Sequence, residues 1–297
     1  MADEIAFWRS EDSANPDVEI MAGVRPGMAT IPGAMLLCIS SPYARRGALW
    51  EAHRRHFGKD GDSVLVWQAE TLSMNPSVDK QIIKDAYEAD EASAAAECGA
   101  EFRRDIESFV NREAIEEVII PGRFELPPNR EIRYRAFVDP SGGTSDSMTL
   151  AIGHRENGTV VLDVLREAKP PFSPEQVAQE YASLLSRRGI HRVTGDRYGG
   201  DWPREQFRKR GIRYETSDLP KADLYRELLP SINSARIELL DHPRLVNQLL
   251  SLERRTSRGG RDSIDHPPQG HDDLANVVAG VNYILGKKQV TPTLCAL

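Results

Sequence analysis

Residues 132–165 read IRYRAFVDPSGGTSDSMTLAIGHRENGTVVLDVL, and this stretch decides the fold class. Apolar residues alternate with polar ones at its start, which is typical of a half-buried strand that ends at Asp139. Two further apolar runs, 148–153 and 159–165, flank an Asn-Gly dipeptide at 157–158, which favours a tight hairpin turn. The stretch therefore predicts three consecutive antiparallel strands.

Helical and strand patterns alternate along the chain after this hairpin. Helices are predicted at 174–188, 202–209, 221–231, 243–253 and 272–285, and strands at 192–196 and 213–216. Three antiparallel strands followed by alternating helices and strands indicate an α/β protein with a mixed sheet flanked by helices. This order matches the ribonuclease-H-like architecture.

A separate domain is predicted before this region. The segment 121–129 is rich in Pro and Gly and is interpreted as a linker, so we expect domains at 1–126 and 127–297. In the first domain, apolar runs at 35–40 and 64–67 predict buried strands, the former in a parallel pair, and helices are predicted at 47–57, 79–88 and 91–105.

Composition limits the function classes. The 297 residues include 38 Lys and Arg against 45 Asp and Glu, a net charge of −7, which excludes a polybasic protein. Any groove that binds nucleic acid must therefore be built locally. Three widely spaced cysteines without a Cys-x-x-Cys motif argue against a zinc knuckle and a disulfide framework. No run approaches the ~20 apolar residues of a membrane span.

Carboxylates stand where the predicted elements end or begin. Asp139 ends the first strand, Asp196 ends the fourth, and Asp272 and Asp273 open the last helix. If the first and fourth strands are parallel neighbours, these groups meet at one edge of the sheet. Clustered carboxylates raise a pKa or bind a cation, and oxygen ligands favour Mg²⁺ or Mn²⁺. Each Asp taken alone is better explained as a turn or cap residue, so only the combination predicts a site.

Three segments resemble the nuclease domain of the large terminase subunits of tailed phages, the DNA-packaging motors. They are FVDPSGG at 137–143, GDRY at 195–198 and GHDDLAN at 270–276. The resemblance covers the second predicted domain and implies a ribonuclease-H-like, metal-dependent endonuclease. Such an enzyme cuts concatemeric double-stranded viral DNA for packaging into the capsid.

The resemblance also implies roles for individual residues. Asp139, Asp196 and Asp273 would be the catalytic carboxylates and would hold Mg²⁺ or Mn²⁺, with Asp272 as a fourth ligand. Two ions ~3.5–4 Å apart would activate water and stabilise the leaving oxygen in phosphodiester cleavage. Many relatives carry a further acidic residue where Asn276 stands, and an amide is a weaker ligand for a second ion.

The first predicted domain resembles the later part of a terminase ATPase, so a partial P-loop ATPase-type α/β domain is expected. ADEIAFW at 2–8 resembles the end of a Walker B strand, with Asp3 and Glu4 as a remnant of the nucleotide site. ISSP at 39–42 resembles the motif that couples hydrolysis to movement. The chain contains no G-x-x-x-x-G-K-[ST] loop to wrap the phosphates. The Walker A half is therefore expected to be missing, and the chain alone is not expected to hydrolyse ATP.

Basic residues outside the acidic cluster are candidates for contacts with DNA phosphates. They are Lys221 and the residues Arg254, Arg255, Arg258 and Arg261 of a glycine-containing loop. A solvated surface loop is the alternative interpretation.

By resemblance, the partners would be double-stranded DNA, the portal protein and the small terminase subunit, in the cytoplasm of the bacterial host with no membrane involved. Two other functions stay open. One is a different ribonuclease-H-like nuclease, such as a junction resolvase. The other is an inactive prophage remnant without catalysis.

Overall fold

The computed structural model describes residues 1–10, 13, 15–196, 201–256, 262–268 and 270–287. The chain divides into two compact units. The first unit consists of residues 1–108, 253–263 and 267–270, and the second consists of 109–252, 264–266 and the residues from 271 onward. This division at 108/109 differs from the predicted boundary at 126/127.

The first unit contains short strands and helices. In chain order they are β1 (Ala2–Asp3), α1 (Pro16–Met28), β2 (Cys38–Ile39), α2 (Gly47–His56), α3 (Thr71–Met74), α4 (Lys80–Ala89), α5 (Glu91–Glu97) and β3 (Ile106–Ser108). β1 and β2 pair in parallel, as the apolar run at 35–40 predicts, although this run is largely exposed.

Two predictions for this unit are wrong. Residues 64–67 form no strand, and Leu65 and Trp67 are 89% and 77% exposed. A short apolar run cannot specify a strand without a neighbour that pairs with its backbone. The helix predicted at 91–105 ends at Glu97. Gly99, a poor helix former, and the left-handed backbone of Ala100 (φ 56°) stop it.

The second unit is built on a seven-stranded mixed sheet. Its elements begin with α6 (Arg112–Val118), β4 (Ile119–Ile120), β5 (Arg135–Asp139), β6 (Met148–Glu156), β7 (Thr159–Ala168), α7 (Pro174–Arg187), β8 (Arg192–Gly195) and α8 (Trp202–Lys209). They continue with β9 (Arg213–Thr216), α9 (Lys221–Asn233), β10 (Ile237–Leu240) and α10 (Pro243–Ser251). β11 (Glu253–Thr256) belongs to the first unit and pairs with β3, the residues of β12 (Asp262–Asp265) are divided between the two units, and α11 (Asp273–Gly286) belongs to the second.

The strand order in this sheet is β4-β10-β7-β6-β5-β8-β9. β5, β6 and β7 form the predicted antiparallel meander, and the other neighbours are parallel. Phe137 of β5 lies opposite Thr194 of β8, so the first and fourth predicted strands are parallel neighbours. The mixed sheet with flanking helices confirms the predicted fold class for this unit.

Helices cover both faces of the sheet. Alternate residues of β5 enter two apolar clusters, with Phe137 on the side of α9, α10 and α11 and Val138 on the side of α7 and α8. On the first side, Gly280 of α11 lies against the ring of Phe137, where a Cβ would come within 2.3 Å of a ring carbon. The absence of a side chain at Gly280 thus allows α11 to pack closely against β5.

The segment interpreted as a linker is anchored within the second unit. The main-chain N–H of Gly122 donates to Oδ2 of Asp241 at 2.9 Å, and that of Leu126 donates to the carbonyl of Asp163 at 2.9 Å. Preceding it, β4 pairs with β10, Ile119 opposite Leu239. The Pro- and Gly-rich segment 121–129 is therefore an ordered connection within the second unit and does not link two domains. None of the described helices combines the length and apolar character needed to cross a membrane.

Candidate active site

Five acidic residues line one cleft of about 780 Å³ in the second unit, namely Asp139, Asp146, Asp196, Asp272 and Asp273, and we call it the acidic cleft. Asp139 ends β5, and Asp196 follows β8, which pairs in parallel with β5. Asp272 is the N-cap of α11, and Asp273 is its first residue. The structure thus brings together the four carboxylates that the sequence predicts at one edge of the sheet.

Two side chains hold the start of α11 at this edge. Oγ1 of Thr149, which lies opposite Asp139 on β6, donates to the carbonyl of Asp273 at 2.9 Å. The buried Oε1 of Gln248 accepts from the N–H groups of Leu274 and Ala275 at 2.8 and 3.1 Å. Gln248 therefore caps two of the N–H groups that a helix start leaves unpaired. Its role depends on tertiary packing, so no local sequence signal reveals it.

The Asp139 carboxyl lies in an environment that disfavours its charge. Burial raises the pKa of Asp139 to about 8, and repulsion from Asp273, Asp196 and Asp272 adds to this shift. One contact opposes it, because Nδ2 of Asn276 donates to Oδ2 of Asp139 at 2.7 Å. The amide thus holds this carboxyl group in place.

Asp273 shows the same pattern more weakly. Burial and the charge of Asp272 raise the pKa of Asp273 to about 6. Within the described part of the chain, Oδ2 of Asp273 and Oδ1 of Asn276 are buried oxygens with no hydrogen-bond partner. Buried acceptors that lack a donor are costly. The oxygen ligands of Asp139, Asp273 and Asn276, two of them without a proton donor among the described residues, suit a hard divalent cation.

Asp272 has different partners. Its Oδ2 accepts from Nζ of Lys221 at 3.0 Å and from the hydroxyl of Tyr225 at 2.8 Å. Nζ of Lys221 also contacts Oδ1 of Asp265 at 2.7 Å. Burial alone would lower the pKa of Lys221, but the charge of Asp272 and the hydrogen bond to Asp265 outweigh it and raise that pKa. Asp272 thus already has an internal cation beside it.

A further set of potential metal ligands includes one of the same carboxylates. Asp265, His266 and Asp272 each offer one ligand atom, and these atoms lie within 4.8 Å of one another. The ammonium of Lys221 contacts two of the three residues. A metal ion there would compete with a bound positive charge, so this trio is a less suitable metal site than the carboxylates beside Asn276.

Sequence reasoning did not identify Tyr225 and Asp265 as parts of this network. Lys221 and Tyr225 are four residues apart on α9 and share one helix face, so their spacing is the available local signal. Asp265 comes from β12, and no local pattern connects it to α9.

The remaining predicted residues lie elsewhere. Arg254 forms an ion pair with Asp262, and Arg255 forms one with the buried Glu253 at 3.0 Å. Arg258 and Arg261 lie outside the described residues. A role for these arginines in DNA binding stays a prediction.

The candidate nucleotide-site residues belong to the first unit. Asp3 lies in β1, and Glu4 has a left-handed backbone with φ 50°. Oε2 of Glu4 lies 3.3 Å from both Oγ of Ser40 and the main-chain nitrogen of Ser41, which belong to the predicted coupling motif. A nucleotide-site remnant at Asp3 and Glu4 stays a prediction.

Comparisons with known proteins find similarity in structure only. No protein-family model matches the chain, and no curated protein matches it. The large terminase nuclease from thermophilic phage G20c matches with a TM-score of 0.51 and 15% identity, over 59% of this chain and 97% of that chain. The same nuclease with bound magnesium matches with a TM-score of 0.50 and 15% identity, over 57% of this chain and 94% of that chain.

A longer protein is also similar. The large terminase from a second thermophilic bacteriophage matches with a TM-score of 0.51 and 14% identity, over 91% of this chain. This chain spans 66% of the length of that terminase. The fold found here, a mixed sheet flanked by helices, is therefore the fold of phage large terminase nucleases.

Proposed function

We propose that this chain is a metal-dependent DNA endonuclease of the phage large terminase type, which cuts concatemeric double-stranded DNA for packaging. The observation that carries the proposal is the convergence of Asp139, Asp196 and Asp273 in one cleft, beside buried oxygens without hydrogen-bond partners among the described residues. The similar solved structures support it, because they are large terminases and their nucleases, one with bound magnesium. They do not favour a junction resolvase or an inactive remnant.

Asp139, Asp196 and Asp273 would hold the divalent ions, and the oxygen-only donor set favours Mg²⁺ or Mn²⁺. When bound, two such ions supply an activated water and stabilise the leaving oxygen of the phosphodiester. Asn276 positions Asp139 through its Nδ2 and offers its unpartnered Oδ1 to the same cleft.

The protein's own groups prepare the cleft for this chemistry. Because its pKa is about 8, Asp139 holds a proton at neutral pH in the metal-free protein, and it would have to release this proton to ligate a cation. Lys221 places an ammonium group in the cleft and would attract a phosphate. We assign Asp272 to holding Lys221, rather than to the role of fourth ligand implied by the resemblance, because Lys221 and Tyr225 occupy its Oδ2.

The test is cleavage of supercoiled plasmid with Mn²⁺, with Mg²⁺ or with EDTA. We expect metal-dependent nicking by the wild type and a loss of at least about 100-fold in Asp139→Asn, since even loss of a residue that supports a metal ligand costs 10–100-fold. Asp223→Asn is the matched control, because Asp223 lies on α9 outside the cleft and pairs with Arg226. Nicking that persists in EDTA, or an unchanged rate in Asp139→Asn, would overturn the proposal.

The same likeness suggests the wider setting. We propose that the chain works with the portal protein and the small terminase subunit in the cytoplasm of a bacterial host. We also propose that residues 1–126 correspond to the later part of the terminase ATPase and that the chain alone does not hydrolyse ATP. Preference for four-way junctions over linear duplex would instead favour the resolvase alternative.

A further inference from the structure

A second cleft, of about 620 Å³, opens at the end of the seven-stranded sheet away from Asp139. We call it the arginine cleft, after Arg133, Arg135 and Arg155 in its lining. Arg135 begins β5, and Asp139 ends it. At about 3.3 Å per strand residue, the arginine cleft lies roughly 13 Å from the acidic cleft along this strand.

Strand register places Arg135 and Arg155 on one face of the sheet. Arg135 lies opposite Gly153 on antiparallel β6. Arg155 is two residues beyond Gly153 on β6, so it lies on the same face as Arg135. Arg133 precedes β5 by two residues and lines the same cleft. A Cβ at Gly153 would come within 2.8 Å of Val281, so α11 covers the sheet here. The helix ends at Gly286, and all three arginines are exposed.

These arginines lack compensating charges. Within the part of the chain that the structure describes, Arg133 and Arg135 form no side-chain hydrogen bond or ion pair, and Nη1 of Arg155 donates only to the carbonyl of Leu285 at 3.3 Å. Glu131 and Glu156 also line the cleft, but neither forms an ion pair with an arginine among the described residues. Like charges on neighbouring strands destabilise a sheet.

Of the three arginines of this cleft, only Arg155 makes a contact that stabilises the fold. Arg155 compensates the carbonyl groups at the end of α11, where a positive charge is favourable. Arg133 and Arg135 make no such contact with the described residues. The guanidinium groups are therefore positioned for an anion that binds from outside.

The acidic cleft creates a need for such a site. Five carboxylates line it, and its Lys221 is already paired with Asp265 and Asp272. The whole chain carries a net charge of −7. A long polyanion would be held weakly by this cleft alone, so positive charge elsewhere on the second unit must contribute to binding. A guanidinium fork matches the oxygens of a phosphate group.

We propose that the arginine cleft binds the phosphodiester backbone of double-stranded DNA, at a site separate from the one that cuts. This inference rests on the proposed function, since it takes duplex DNA as the substrate. The site would hold one arm of the duplex while another part occupies the acidic cleft, and it would contribute affinity without reading sequence.

The test is binding of a fluorescent 30-base-pair duplex, followed by anisotropy in EDTA at several salt concentrations. Each lost phosphate contact lowers the dependence of log K on log salt by about 0.9, so the triple variant Arg133→Ala/Arg135→Ala/Arg155→Ala should reduce the slope by about 2–3. Its affinity should fall at least about 10-fold at low salt. The matched control is Arg187→Ala/Arg192→Ala/Arg208→Ala, which removes three exposed arginines elsewhere on the second unit.

An equal loss in the control variant, or an unchanged slope in the arginine-cleft variant, would overturn the proposal. So would equal competition by polyglutamate at matched charge, which would indicate an acidic protein partner. A third variant, Arg133→Lys/Arg135→Lys/Arg155→Lys, keeps the positive charge. It should retain the salt dependence of log K but bind the duplex more weakly. Circular dichroism checks that each variant is folded. Binding is measured in EDTA and does not depend on cutting. A plasmid that stays uncut with Mn²⁺ or Mg²⁺ would therefore overturn the proposed nuclease while leaving the binding result intact.

Discussion

Asp139 makes the stability of the metal-free protein depend on pH. Its pKa rises from 3.8 to about 8 on folding, so between these values the folded chain keeps a proton that the unfolded chain releases. Stability is therefore highest at the acidic end of this window and falls as the pH rises towards 8. We predict that the melting temperature in EDTA decreases from pH 5.5 to 8.5, and that Asp139→Asn flattens this decrease because an amide does not ionise.

In Asp139→Asn, ionisation of Asp273 should still make the melting temperature depend on pH. Its pKa of about 6 contributes in the lower part of the same window. Asp223→Asn is again the control and should follow the wild type. An equally steep decrease in Asp139→Asn would contradict the assignment of the shift to Asp139.

The contact between Lys221 and Asp272 predicts strong energetic coupling. Lys221→Met would leave the buried Asp272 without its cation, which costs about 3 kcal/mol in the free energy of unfolding. Adding Asp272→Asn removes the uncompensated charge, so the double variant should lose less than the two single variants together. Urea unfolding of the four proteins measures this interaction.

A surface pair serves as the comparison. Glu205 and Lys209 form an exposed ion pair on α8, for which a cycle of the same kind should give only ~0.3–0.5 kcal/mol. If the effects of the Lys221 and Asp272 substitutions proved additive, the contact between these two residues would have no measurable energetic role.

At the acidic cleft, the sequence predicts the carboxylates better than it predicts the residues that hold them in place. Asp139 and Asp273 stand at the end of a strand and the start of a helix, which local patterns reveal. Gln248 caps α11 from α10, and Asp265 meets Lys221 from β12. Both contacts join segments far apart in sequence, so no periodicity or turn signal predicts them.

Secondary structure follows the same rule. The meander β5–β7, helix α8 and strand β9 follow clear alternation or helical spacing, and their positions are well predicted. β4 is only two residues long and exists through its pairing with β10, which lies far along the chain. The short apolar run at 64–67 illustrates the reverse error, because apolar character without a pairing partner produces no strand.

Packing of α11 against β5 depends on a glycine. Gly280→Ala would place a Cβ within 2.3 Å of the Phe137 ring, which α11 and the sheet enclose. The better helix propensity of alanine contributes about 1 kcal/mol in its favour, but overpacking costs ~1–3 kcal/mol and displaces α11. We predict a net loss of stability, measured by urea unfolding, together with slower plasmid nicking because Asp273 moves with the helix.

Gly286 provides the matched control for this substitution. It lies at the end of α11, and no described atom outside its immediate neighbours would come within 4 Å of an added Cβ. Gly286→Ala should therefore leave stability unchanged or slightly higher. Equal effects at Gly280 and Gly286 would show that the contact with Phe137 does not constrain the helix.

The two possible domain boundaries predict different behaviour for fragments of the chain. Residues 109–128 carry α6 and β4, and they contribute Phe109, Ile115 and Val118 to the apolar cluster beneath α11. Burying one large apolar side chain stabilises a fold by ~1.5–3 kcal/mol. A fragment of residues 109–297 should therefore unfold cooperatively and at clearly higher urea than one of residues 129–297. Ile115→Ala in the full chain tests the same packing without truncation and should cost ~2–5 kcal/mol. Equal urea midpoints for the two fragments would instead place the boundary at 126/127, where sequence composition alone puts it.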